Sequence, residues 1–173
     1  GSFSTKEISK ALESVFKKIT KVPKIIDGLS KERLVKKFTQ LSESNNLILR
    51  KANEDDLQTT YNWAIDPSIR TFAFQQRGIK WEEHVEWFQN KLRDEKCIYY
   101  IAEVNKEIIG SVRFDIRNDE AVISYLIDPR FQSKGYGLIV LAKSFKSILQ
   151  ELASRKSTAR ELVGHVMMNN YPS

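Results

Sequence analysis

The sequence holds a single cysteine, Cys97, in 173 residues. One thiol excludes an intramolecular disulfide framework and fits a reducing, cytoplasmic compartment. The two histidines, His84 and His165, lie far apart and give no zinc spacing, so no metal is expected. Long apolar runs are missing: stretches such as Leu138–Ala142 are far too short to span a bilayer, and no membrane partner is expected. No internal repeat or low-complexity tract appears. What remains is ordinary globular composition, 41% hydrophobic and 29% charged, at a length that suits one α/β domain plus an extra segment. The opening Gly1-Ser2-Phe3 reads as a remnant of cloning and leaves targeting unread.

The net charge of +6 is placed unevenly. Residues 1–46 hold ten Lys/Arg against five Asp/Glu, whereas the remainder is nearly balanced. The basic excess reads as a solvated helical face. Aromatic residues do not alternate with the lysines as a single-strand nucleic-acid binder needs, so no nucleic-acid partner is expected.

Helical spacing runs through Ile8, Leu12, Val15, Phe16 and Ile19, breaks at Pro23 and Asp27-Gly28, and resumes through Leu34, Phe38 and Leu41. Residues 1–46 are therefore expected to form a helical extension that ends in the polar hinge Ser42–Asn46. Beyond it, Leu47–Ala52 reads as a strand. Asn53–Asp66 reads as a helix stopped by Pro67, and Ile79–Asp94 as an amphipathic helix with Trp81, Val85, Phe88 and Leu92 on one stripe. Three strands follow, Cys97–Val104, Glu107–Arg117 and Glu120–Asp128. Their two-residue links predict an antiparallel meander. A helix from about Gly137 to Leu152 and a strand around Leu162–Met168 complete the order.

The segment Arg130–Gly137, "RFQSKGYG", joins the third meander strand to a helix. The first turn of a helix leaves its backbone N–H groups unpaired, and with the helix dipole they make an anion site. Gly135 and Gly137 allow close backbone approach, and Lys134 adds charge. From the loop alone, a glycine-rich start to a helix is the better explanation of the residues. The loop follows a meander rather than opening a βαβ unit, and it lacks the Lys-Ser/Thr ending of an ATP-binding loop.

Gln132–Gly137, "QSKGYG", matches the Gln/Arg-x-x-Gly-x-Gly/Ala signature of the Gcn5-related N-acetyltransferases (GNAT), and the element order over about 47–173 resembles that superfamily. "VMMNNYPS" (Val166–Ser173) resembles its next landmark. The resemblance implies an α/β (α+β) fold with a mixed, mostly antiparallel sheet flanked by helices, and acetyl-coenzyme A as cofactor. Backbone N–H groups of Ser133, Lys134, Gly135, Tyr136, Gly137 and Leu138 would hold its pyrophosphate, with Gln132 beside them. Tyr125, Leu126 and Ile127 would pair with the pantetheine arm as an added strand, a backbone N–H near Leu126 would polarise the thioester carbonyl, and Asn170 would reach the cofactor from the far side. The family's usual acid is a tyrosine on a later helix. The sequence ends at Ser173 before such a helix, Tyr171 comes too early to match, and the final helix and strand are missing. The apolar surface this exposes makes a homodimer an expectation.

Asn62–Leu92 resembles the acceptor-side helices of aminosugar N-acetyltransferases, which acetylate the 4-amino group of a UDP-linked deoxyaminosugar in pseudaminic acid biosynthesis. Alanine- and protein-N-terminal acetyltransferases share parts of this pattern, and a non-catalytic coenzyme A-binding module is a third reading. Ile25–Phe38 resembles the tail of a nucleotide-sugar hydrolase of the same pathway; a generic amphipathic helix pair is its other reading. Arg70, Trp81 and His84 are the candidate acceptor contacts. For proton removal from the attacking amine, the candidates are Glu103, at the end of a central strand, and His84, whose ordinary pKa suits the task. Asp115 shares strand parity with Arg113 and reads as its ion-pair partner. Cys97 reads as a small apolar residue rather than a nucleophile.

Overall fold

Residues Cys97–Ala102 are buried without a break, and such a continuous apolar run marks a strand covered on both faces rather than one with a wet side. This strand lies second in the sheet. The computed structural model describes residues 46–71, 77–155 and 161–164. The helical extension expected before residue 46 lies outside them, as do His165, Asn170 and the expected strand beyond Gly164.

In chain order the described elements are β1 (Leu47–Lys51), a 3-10 turn (Glu54–Asp56), α1 (Leu57–Ile65), α2 (Pro67–Arg70), α3 (Trp81–Arg93), β2 (Cys97–Val104), β3 (Glu107–Arg117), β4 (Glu120–Ile127), a 3-10 turn (Pro129–Phe131), α4 (Tyr136–Ser154) and β5 (Glu161–Gly164). The five strands form one sheet in sequence order. β1 through β4 pair antiparallel, and β5 runs parallel to β4. The mixed, mostly antiparallel sheet is as expected. The turn between β2 and β3 places both Asn105 and Lys106 at positive φ, the requirement of the tight hairpin turn that matches strand twist.

The helix after β1 starts differently from the sequence reading. Its first turn is a separate 3-10 turn capped by Asn53, whose side chain accepts from the Asp55 N–H while Asp56 accepts from the Asn53 N–H. Pro67 does stop α1, because the residue before a proline is pushed to an extended conformation, and Asp66 has ψ 123. The same proline then occupies the first position of the one-turn α2, with Asp66 as its cap.

The two sheet faces hold different cores. On one, α4 packs Val140, Phe145 and Ile148 against Ile98, Tyr100, Val112, Phe114 and Ala121. On the other, α3 sets Phe88 against Cys97 and Tyr99. Phe88 and Phe114 are fully enclosed, each worth about 1.5–3 kcal/mol by burial. The stripe expected on α3 is shifted: His84 and Phe88, four residues apart, are the buried pair, while Val85 and Leu92 are half-buried and Trp81 is exposed.

One close approach fixes the β3–β4 pair. A Cβ placed on Gly110 would lie 2.3 Å from the Leu126 carbonyl oxygen, so only glycine fits there. The sequence reading did not single out this residue.

Candidate functional site

The corner between β4 and α4 is built by four residues. Asp128, buried at the end of β4, accepts from the Arg130 N–H and guanidinium and from the Trp63 indole N–H at 2.9 Å. Burial alone would raise the Asp128 pKa, but these bonds from Arg130 and Trp63 hold it below the usual carboxylate value. Gln132 then folds back, its side-chain amide donating to the Ile127 carbonyl at 3.0 Å. Ser133 has φ 59 and Gly135 φ 81, so the chain passes through the left-handed region twice before α4 begins.

Gly135 is the cap of α4 and offers no side-chain bond to the first-turn amides. Gln132, Ser133, Lys134 and Gly135 are exposed, and a Cβ on Gly135 would meet nothing within 4 Å. No acidic residue occupies the first turn of α4. Uncapped amides, open space and a cation from Lys134 fit a diphosphate. Tyr136, Gly137 and Leu138 continue into the half-buried first turn.

The register shows which amides of β4 are available. Asp128 donates to the Ile109 carbonyl at 2.9 Å, and Gly110 lies opposite Ile127. In an antiparallel ladder, bonded and non-bonded pairs alternate. Leu126 therefore directs its N–H and carbonyl to Ser111 on β3, while Tyr125 and Ile127 direct theirs away from β3. Described pairing with β5 covers Glu120–Ile123 and stops there. The expectation of a donor near Leu126 is thus moved by one residue, to Tyr125 or Ile127. The Tyr125 ring is half-exposed and lies over Gly137, 3.9 Å from the position of its missing Cβ.

The opposite face of the sheet carries α3, whose Phe88 packs on Tyr99 of β2. A row of rings runs along it: Trp81 packs edge-on against Tyr61 at 4.9 Å, Tyr61 lies 5.4 Å from His84, and His84 lies 5.3 Å from Trp87. Arg113 sits over Trp87 at 5.0 Å and donates from Nε to Asp115 at 3.0 Å. Asp115 also accepts from Lys91 at 2.6 Å. Burial acts to raise the Asp115 pKa, yet Lys91 and Arg113 bring it below its ordinary value. The Arg113–Asp115 ion pair is as the sequence parity implied.

Three candidates hold partners within the fold. Glu103 accepts from Arg50 Nε at 2.6 Å, within a cluster in which Arg50 also makes a two-pronged bond to buried Asp56. It stands on β2, two strands from β4 and so about 10 Å away, and its register partner Ile108 lies before Gly110. Any part it takes in proton removal would have to be played from within this ion-pair cluster. His84 is buried, at 4% exposure. Its Nε2 lies 3.0 Å from Thr60 Oγ1, and the Thr60 hydroxyl donates to the Leu57 carbonyl, which assigns Nε2 as donor and Nδ1 as the basic nitrogen. Burial pushes the His84 pKa down. Arg70 donates to the Ala64 and Arg77 carbonyls and braces the link between α2 and α3. Trp81 is exposed, at the open end of the ring row.

The residues missed from sequence are Trp63, Thr60 and Asp128, all buried, and Tyr99. Only the Asp-Pro step at Asp128 carried a local signal. Cys97 is buried, its thiol pushed up to about 11 by burial, as suits a packing residue. Among the described residues, no group of three or more His, Cys, Asp or Glu is placed to hold a metal. No described helix is long and apolar enough to cross a membrane.

Residues 46–173 match the family described as Acetyltransferase (GNAT) domain. Uncharacterized protein MJ1062 of Methanocaldococcus jannaschii is 28% identical over 95 residues, 53% of this chain and 20% of that protein. The chain thus spans about a fifth of the curated relative's length. A crystallised domain from M. jannaschii has TM-score 0.56 at 26% identity, covering 72% of this chain and 79% of that one. Spermidine N-acetyltransferase from Vibrio cholerae, solved with CoA and spermine, has TM-score 0.54 at 24% identity, covering 62% and 68%. The acetyl transferase of Salmonella typhimurium that modifies the N-terminal serine of a ribosomal subunit protein has TM-score 0.55 at 21% identity, covering 73% and 74%.

Proposed function

Since the chain belongs to the acetyltransferase (GNAT) domain family, whose members transfer acetyl from acetyl-coenzyme A to amines, we propose that it acetylates the 4-amino group of a nucleotide-linked deoxyaminosugar used in bacterial surface glycans. The observation that carries the transfer reaction is the open, uncapped corner at Gly135 beside the outward-facing amides of Tyr125 and Ile127. Amides of Ser133–Leu138 would hold the diphosphate, with Lys134 nearby, and Tyr125 and Ile127 would pair with the pantetheine arm. Acetyl-coenzyme A supplies an activated thioester.

This chain's own residues then do two things. The outward N–H of Tyr125 or Ile127 polarises the carbonyl under attack. The wall formed by Trp81, Tyr61 and Trp87 holds the acceptor, and holding both reactants together supplies much of the rate. Flat rings suit sugar and nucleobase faces, which supports the acceptor class suggested by the resemblance of Asn62–Leu92.

The test is acetyl transfer by the full-length protein, with UDP-aminosugars, peptides and spermidine run in parallel. Turnover of the UDP-aminosugar is the expected result. Turnover of peptides or spermidine alone overturns the acceptor assignment, and coenzyme A binding without turnover of any amine overturns catalysis.

A further inference from the structure

We propose that Arg113 seats an acidic group of the acceptor, a phosphate or a carboxylate, on the α3 side of β4. The proposal rests on that side being the acceptor side of an acetyl-transfer site.

Position is the first argument. Arg113 on β3 lies directly opposite Tyr99 on β2 and Ser124 on β4. Residues directly opposite across strands share a face, and Tyr99 packs with Phe88 of α3, so Arg113 and Ser124 face α3 as well. Ser124 is exposed and adjoins Tyr125, one of the two residues whose amides point outward. Arg113 therefore stands one strand spacing, about 5 Å, from the β4 segment beside the reaction.

The second argument is how the guanidinium is held. Nε is committed to Asp115, and the guanidinium carbon lies 5.0 Å from the centre of the Trp87 ring and 5.8 Å from that of Tyr99. Nη1 and Nη2 make no hydrogen bond among the described residues. A guanidinium fixed through Nε and set beside two aromatic rings keeps its remaining donors as a planar fork, the geometry that carboxylates and phosphates accept in pairs. Its side chain is only 18% exposed, so an incoming anion meets it with little competing water.

Charge is the third. Asp115 neutralises one cation, but two bind it, so Lys91, Arg113 and Asp115 together carry +1. On the β1 side, Arg50 occupies both Asp56 and Glu103. A polycationic acceptor finds an unneutralised cation here, whereas an anionic one finds a partner. The ring row from Trp87 to Trp81 then lies alongside for the uncharged remainder of the same molecule.

The full-length protein, saturated with coenzyme A so that the Gly135 corner is filled, is titrated calorimetrically with UDP and with N-acetylglycine. Binding of UDP alone identifies phosphate as the group recognised, and binding of N-acetylglycine alone identifies carboxylate. Arg113→Gln is expected to weaken that binding by about tenfold or more, with coenzyme A affinity unchanged. Arg113→Lys, which keeps the charge and loses the fork, is expected to fall between them. A purely bracing role for Arg113 would lower the melting temperature and leave the anion affinity of the folded protein alone. The proposal is overturned by wild-type affinity in Arg113→Gln, or by a coenzyme A-loaded wild type that binds neither probe. Acetyl transfer to UDP-aminosugars is measured separately, so the acceptor's identity and the role of Arg113 stand or fall independently.

Discussion

The indole N–H of Trp63 donates to Asp128 at 2.9 Å, joining residues 65 positions apart. The bond ties α1 to the end of β4, where the corner proposed to seat coenzyme A begins. Asp128 in turn holds the Arg130 amide, so a displacement of α1 is felt in the loop. Trp63→Phe keeps the ring and leaves the buried carboxylate short of a donor. The expected loss is about 1.5–3 kcal/mol in urea unfolding, with a raised KM for acetyl-coenzyme A. An unchanged midpoint and KM would show the link to be idle.

Gly135 and Gly137 should behave differently despite their shared motif. Gly135 has φ 81, so any side chain there is strained by about 1–2 kcal/mol and also fills the open corner. Gly135→Val should abolish coenzyme A binding, measured by calorimetry, while circular dichroism keeps the folded spectrum. At Gly137 a Cβ meets Ile127 and Tyr125 at 3.8 and 3.9 Å, ordinary contact. Gly137→Ala should retain binding within a few-fold.

Gly110→Ala tests the sheet rather than the ligand. Its Cβ would meet the rigid carbonyl of Leu126 at 2.3 Å and the Ile127 Cδ1 and Cα at 3.1 and 3.2 Å. Separating the strands would break ladder bonds, and the expected cost is about 2–4 kcal/mol in chemical denaturation. A cost below about 0.5 kcal/mol, the range of surface substitutions, would refute the close approach.

His84 gives the protein a pH dependence of known sign. Burial lowers its pKa in the folded state below the ordinary value of about 6.5, so between the two values the unfolded chain binds the extra proton. The destabilisation is absent above about pH 6.5 and grows as pH falls through the lowered folded value. Melting temperature should therefore drop from pH 7.5 to pH 5.5, and the drop should shrink in His84→Gln, which keeps a donor for Thr60. Equal slopes in the two proteins would contradict the enclosed, neutral imidazole.

The limits of β2 and β3 were readable to the residue, because turn residues at both ends interrupt a clear period. The helix after the glycine loop was readable for the same reason. The corner at Gln132–Gly137 could be proposed as a phosphate seat only through its neighbours. The acceptor side was much less so. Glu103 and His84 looked available because nothing near them in sequence occupies them, yet Arg50 and Thr60 do, from 53 and 24 positions away. Gly110 passed unremarked because its constraint is a carbonyl on another strand. Local periodicity reports burial and turns, whereas partnering of polar groups is decided by register and helix docking, which a single sequence does not encode locally.

The meander has a consequence for how such a domain changes its preferences. Two-residue turns join β2 to β3 and β3 to β4. The β2–β3 register has one shift, between Ala102 and Glu103, and the β3–β4 register runs unbroken, so the places of Tyr125 and Ile127 are set by counting residues along β3. The chain first gains freedom of length where it leaves β4 for the crossover to a parallel strand, and there a coenzyme site imposes its own count. Variation in the amine accepted would thereby be channelled into the helices on the α3 face of the sheet, where Phe88 meets Tyr99 through side chains alone.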